Sequence, residues 1–273
     1  DVRAVNVHTG TFAWTFHAIP RKGEPNYGTW VGNAADKRSG VNVWGFFTVD
    51  VQRGIVYIPL GNASGDLWGG DRPGNNLYSS SLVAADANTG KYLWHFQLVH
   101  HDVWDYDLES PPLLMDVKQN GKTIPAVLVF NKVGLVFMLD RVTGKPIYQV
   151  EERPVAPSPV PVEQLSPTQP FPVKPAPLAR MTFSMKDIAT VTPEIEAACR
   201  KWITDNKIET DTPPFAPPSW GHSRVIFPSE IGGPNWGGAA FNPALGLAFI
   251  QSNQLGQVFG VQDPPSGEVK KED

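Results

Sequence analysis

Short apolar and aromatic runs alternate with polar, glycine-bearing turns along most of the chain. Runs of this length with β-branched and aromatic residues read as strands. They lie at residues 42–49, 54–60 and 82–85, then 111–117, 123–130 and 133–140, then 235–241, 246–251 and 256–261. Three stretches break this rhythm, at about 17–41, 63–79 and 151–230. The last opens with a proline-rich run over 154–177 and contains a predicted helix over 193–206. Two hundred and seventy-three residues suffice for a large core in one or two domains.

The turns carry a repeat. Ala4, Asn6, Thr9, Gly10 and Trp14 match Ala84, Asp86, Thr89, Gly90 and Trp94 in spacing. Asp140, Thr143 and Gly144 give a third copy, with Tyr148 in the tryptophan position. A worn fourth copy starts at Val261, with Asp263, Ser266 and Gly267. Each copy reads as a hairpin: the Asp or Asn caps the turn and Gly takes the positive φ it needs. The tryptophan then starts a strand and packs between sheets. Counting that strand, each period holds four. Four-stranded units repeated about an axis describe an all-β β-propeller, here about three blades, where a closed ring takes roughly 4–8. The chain opens inside a strand-like run and closes just after another, so it reads as a piece of a longer protein.

Composition removes some functions. The net charge of −4 gives no basic surface for nucleic acid. Cys199 is alone, so neither an internal disulfide nor a cysteine-based zinc site can form. No apolar run approaches the ~18 residues that span a bilayer.

Candidate chemistry concentrates after the aromatic strand that holds Trp94. His100, His101, Asp102, Trp104, Asp105, Tyr106 and Asp107 follow within one loop. So many titratable groups at a strand end are costly unless solvent, a metal or a ligand takes up the charge. The alternative is a solvated acidic turn over two buried aromatics.

This loop, the tryptophan repeat and four further segments together resemble the quinoprotein dehydrogenases that use pyrroloquinoline quinone (PQQ). The likeness is to the glucose, quinate and polyol branch, whose signature loop reads His-His-Asp-x-Trp-Asp. It implies an eight-bladed ring, with PQQ and a calcium ion near the axis on a tryptophan floor. Trp44, in Val41-Asn42-Val43-Trp44-Gly45, is the implied floor. Asn62, in Gly61-Asn62, is an implied calcium ligand, and Asp105 both a ligand and the catalytic base. Lys132 is the implied cationic contact to PQQ, although Val133 stands where the family often has Thr. Asn235 and Trp236, in a glycine-rich segment, would lie near the cofactor, and His101 could touch substrate. Taken singly, each has a plainer reading: a core tryptophan, a turn Asn, a surface lysine, a strand-entry turn.

The resemblance thus implies oxidation of CH–OH groups of sugars, polyols or related alcohols, with electrons passed to a quinone. It also implies a periplasmic location, with any membrane association through segments outside this chain. Further calcium and PQQ ligands are expected before Asp1, so the 273 residues alone are expected to be inactive. The competing reading is a non-catalytic propeller scaffold of the bacterial envelope. Such a scaffold has no reason to keep Trp44, Asn62, Asp105 and Lys132 together.

Overall fold

The computed structural model describes residues 1–262. It is built from antiparallel strands with little helix. A four-stranded meander, β3 (Thr48–Asp50), β4 (Ile55–Leu60), β5 (Ser81–Asp86) and β6 (Tyr92–Gln97), occupies the centre. Before it comes the hairpin β1 (Val2–Val5) and β2 (Phe12–Phe16). After it come the three strands β7 (Leu113–Gln119), β8 (Lys122–Phe130) and β9 (Val136–Asp140), then β13 (Ala239–Asn242) paired with β14 (Leu247–Ile250).

These sheets stack face to face. Side chains of β4 alternate: Ile55 and Tyr57 join Val127, Val129 and Phe137 of the next sheet in one core. Val56, Ile58 and Leu60 face the other way, onto Val2, Phe16, Trp30 and Tyr78. Strand β8 does the same, turning Ala126, Leu128 and Phe130 toward Ala239, Phe241 and Ile250 of β13 and β14. Strands buried on both faces read as continuous apolar runs, which is why β4 and β5 stand out in the sequence.

The repeated turn is the joint between sheets. Asp86 Oδ1 accepts from the Asn88 and Thr89 amides, and Asp140 Oδ1 from those of Val142 and Thr143. Gly90 and Gly144 take the same φ of 72°. A Cβ on Gly90 would lie 2.6 Å from the Trp14 ring, and one on Gly144 2.6 Å from the Trp94 ring. Each tryptophan therefore lies flat on the turn of the next repeat. Trp14 Nε1 also donates to the Ala87 carbonyl at 3.0 Å. At the next joint the equivalent Arg141 carbonyl accepts from the Tyr57 hydroxyl instead, leaving Trp94 Nε1 without a partner.

Several expectations change. The motif turn joins two strands of one sheet, so the tryptophan strand closes the preceding sheet rather than opening its own. The run 42–49 becomes a strand only at Thr48, because residues before it bend around the loop at 61–63. The run 235–241 pairs only from Ala239. In the three-stranded sheet the expected fourth strand shrinks to a bridge between Leu139 and Pro146, since proline cannot donate to a ladder. The run 256–261 yields β15 (Gln257–Phe259), which pairs with β12 (Arg224–Ile226) and not with β14. The fourth repeat copy beyond Val261 lies outside the described residues.

The segment 151–230 is not a bare coil. It begins in the hairpin β10 (Val150–Pro154) and β11 (Thr168–Pro172). Besides the single turn α1 (Ala34–Lys37), the described residues hold one further α-helix, α2 (Pro193–Asp205), within this segment. Thr192 caps it by accepting from the Ile195 amide, and proline takes the first turn, where no N–H is needed. No helix among the described residues is long and apolar enough to cross a membrane.

Candidate functional site

The loop after β6 is shaped by Asp102. Its carboxylate accepts from the Ser80 hydroxyl at 2.7 Å and from the Trp104 and Tyr106 amides at 2.9 and 3.3 Å. Burial pushes that carboxyl up to about 6. The Trp104 and Tyr106 rings stack inward, 6.0 Å apart. They donate to the Ala216 and Pro228 carbonyls of the 151–230 segment, each at 2.8 Å. With the aromatics committed to the core, Asp105 and Asp107 are free to face one cation.

That cation is Lys132. Its ammonium donates to Asp105 Oδ2 at 2.7 Å and to Asp107 Oδ2 at 2.8 Å. It also lies 5.3 Å from the centre of the Trp44 ring, which is 43% exposed. Burial opposes the charge on Lys132, but Asp107 and then Asp105 hold its ammonium well above the ordinary lysine value. Burial, and next the repulsion from Asp107, push Asp105 up to about 7 against the pull of Lys132.

Asn62 enters through its backbone. Its amide donates to Asp107 Oδ1, while its side-chain oxygen accepts from the Ala63 amide at 2.7 Å. A Cβ on Gly61 would lie 2.5 Å from Asp107 Oδ1, so glycine is required for the close approach. Asp107 therefore ties Asn62 to Lys132, a role the sequence reading missed. The Asp-x-Asp spacing of 105 and 107 was its only signal. Glu109 was missed too. It is fully buried, neither carboxyl oxygen has a partner, and burial raises its carboxyl well above the usual range.

The remaining candidates are placed less centrally. The glycine segment reaches Lys132: the Gly233 amide donates to the Lys132 carbonyl, and Gly232 packs on its Cβ. Asn235, just beyond, donates to the Ile231 carbonyl and accepts from the Ser110 hydroxyl through its own carbonyl. Trp236 is 60% exposed. Both line a separate recess of about 300 Å³ with Gln251 and Asn253. His101 is 1% exposed, and both ring nitrogens face protein acceptors, which leaves no free atom for a substrate. No group of three or more His, Cys, Asp or Glu side chains is arranged for a metal among the described residues.

Known proteins share this fold. The family model described as "Glucose/ethanol/alcohol dehydrogenase, beta-propeller domain" matches residues 1–273. Among relatives, the quinate/shikimate dehydrogenase (quinone) of Acinetobacter baylyi is 38% identical over 257 residues, covering 93% of this chain and 31% of the relative. Quinoprotein glucose dehydrogenase A of Acinetobacter calcoaceticus is 35% identical over 273 residues, covering 94% and 32%. The chain thus spans about a third of the length of these relatives. A europium-containing methanol dehydrogenase has a similar fold, with a TM-score of 0.66 over 96% of this chain and 41% of the other, at 22% identity. Stacked antiparallel sheets, tryptophan-on-glycine joints and a full-length family match lead to one conclusion: the chain belongs to the PQQ-type glucose/ethanol/alcohol dehydrogenase β-propeller family.

Proposed function

We propose that this chain forms the catalytic-loop portion of a PQQ-dependent dehydrogenase that oxidises CH–OH groups of sugars, polyols or related alcohols. A quinone is the proposed electron acceptor. The observation that carries this reading is the Lys132 ammonium, which joins Asp105 and Asp107 while lying over the open ring of Trp44. The relatives are named as dehydrogenases of quinate, glycerol and glucose, which favours an enzyme over a scaffold.

The residues fit the proposed cofactors in chemistry. Trp44 offers a flat, exposed ring with a cation beside it, suited to a planar anionic ring system. With both aspartates ionised, the Lys132 cluster carries one uncompensated negative charge in a buried setting. A divalent cation would balance it, and Asn62 and Asp105 are oxygen donors of the kind calcium takes. They do not complete a shell of roughly six to eight oxygens, so other ligands are required. PQQ would accept the hydride, and calcium would polarise the carbonyl that receives it.

This chain's own part is the proton. Asp105 accepts the substrate hydroxyl proton, and Lys132 orients that carboxylate from one side. Asp107 holds Lys132 in place and anchors it to the Asn62 backbone. The Trp104 and Tyr106 stack fixes the loop from beneath.

Asp105→Asn in the full-length protein tests the assignment. Turnover should fall by at least roughly 100-fold, the size of a lost general base. PQQ binding should stay within a few-fold. Unchanged turnover would remove Asp105 as the base, and failure of the wild-type protein to bind PQQ with calcium would remove the whole reading.

A further inference from the structure

Glu163 lies in the proline-rich stretch of the 151–230 segment, far in sequence from the catalytic loop. Its carboxylate is buried between two elements. Oε1 sits 2.7 Å from His101 Nε2, and Oε2 accepts from the Gly69 amide. The other imidazole nitrogen, Nδ1, is 2.7 Å from the Gly74 carbonyl. The side chains of His101 and Glu163 are 1% and 2% exposed.

The chemistry of this contact is constrained. A carbonyl and a carboxylate both accept, so both imidazole nitrogens must face them with hydrogen. One proton is therefore held between Nε2 and Oε1, and the pair as a whole is neutral. The other charged groups around it are Arg72 and Asp102. Arg72 is fully buried and donates to the Asp102 carbonyl at 2.6 Å and to Asn76 Oδ1 at 2.8 Å. Gly69 is squeezed against both: a Cβ there would lie 2.7 Å from His101 Nε2 and 2.9 Å from the Arg72 guanidinium carbon.

His101 is where the loop turns. Its φ is 46° and that of Asp105 is 58°. Two non-glycine residues in the left-handed region bracket the segment that delivers Asp105, and such backbone persists only while its anchors hold. Asp102 anchors the middle. The Glu163 contact anchors the start.

We propose that Glu163 is a positioning residue for the catalytic loop, holding Asp105 in place through His101. The proposal rests on reading Asp105 as the base. It gives the long segment a task in the reaction, since its proline-rich stretch reaches back to set the loop geometry.

The test uses the full-length protein with Glu163→Ala, Glu163→Gln and Gly69→Ala. Glutamine can still accept from Gly69 and donate to a neutral His101, so it keeps the geometry without the shared proton. We expect Glu163→Ala to lower kcat about 100-fold, the scale of an ångström-sized misplacement. KM should stay within about threefold. Gly69→Ala should behave alike, and Glu163→Gln should stay within about threefold of wild type. Amide hydrogen exchange over residues 101–107 of the cofactor-free protein should speed up at least tenfold in the two alanine variants. Exchange in β4 and β5 should not change. Wild-type kcat and exchange in Glu163→Ala would overturn the proposal. So would equal losses in all three variants with faster exchange throughout the sheets, which marks a merely structural role. If the wild-type protein lacks dehydrogenase activity, the functional reading fails while the exchange data still decide whether Glu163 holds the loop.

Discussion

At the scale of single residues the catalytic loop is a problem in placing charge. Lys132 is buried between Asp105 and Asp107, and removing one partner of such a group leaves the others uncompensated. Lys132→Ala should therefore destabilise the fold by about 3 kcal/mol, measured by denaturant unfolding. Lys132→Met should cost nearly as much, since it restores bulk and no charge. Glu163 gives a pH signature. Against its burial, the His101 and Gly69 hydrogen bonds lower its carboxyl below the ordinary glutamate value. Stability from this group is full above the unfolded value of 4.5 and fades as pH falls through the lower folded value. The stability gap between wild type and Glu163→Gln should accordingly shrink as pH falls below about 4.5. Thermal unfolding across that range checks it. The sequence made Asp105, Lys132, Trp44 and Asn62 legible because each sits in a short local motif, and all four meet directly or through Asp107. Glu163 was not legible. Its sequence neighbours Pro161, Val162, Gln164 and Leu165 form no recognisable motif, and its partner is contributed by a distant loop.

At the scale of elements, the tryptophan-on-glycine joint explains why the repeat is visible at all. The turn glycine answers two demands, a positive φ and a surface bare enough for an indole ring. These demands separate experimentally. Gly121 and Gly144 have nearly the same φ, 74° and 72°, but nothing lies within 4 Å of a Cβ on Gly121. Gly121→Ala should lose about 1 kcal/mol from backbone strain alone. Gly144→Ala should lose about 2 kcal/mol more, because the methyl group drives into Trp94. Equal losses would mean that the ring contributes no packing constraint. The strands themselves were legible wherever both faces are buried, as in β4 and β5. Partners were less so: hydrophobic spacing marks 256–261 as a strand but carries no information on which neighbour it pairs with. The helix α2 was read to within one residue, since Thr192, Pro193 and the polar end at Asn206 bound it chemically.

At the scale of the whole molecule, apolar surface remains on both outer sheets. Phe12 of β2 is 64% exposed, and Leu247 and Phe249 of β14 are 51% and 55% exposed. Phe46, at 62%, adds to this near the Trp44 ring. Unpaired strand edges beside such surface favour association. The 273-residue chain alone should therefore show a sedimentation coefficient that rises with concentration, despite its net charge of −4. A constant monomeric value up to about 100 μM would show that these faces are satisfied within the chain.

The pairing of β15 with β12 also sets an order of events during synthesis. Ile188, Ile203, Ile208 and Val225 form a small core around α2, and Val258 of β15 packs against it. Ribosomes add about 5–20 residues each second. Helix α2 is thus translated several seconds before the strand that seals its core, and β13 and β14 are made in between. The helix must wait half-covered, its exposed Trp202 accessible to chaperones, until the chain has passed Phe259.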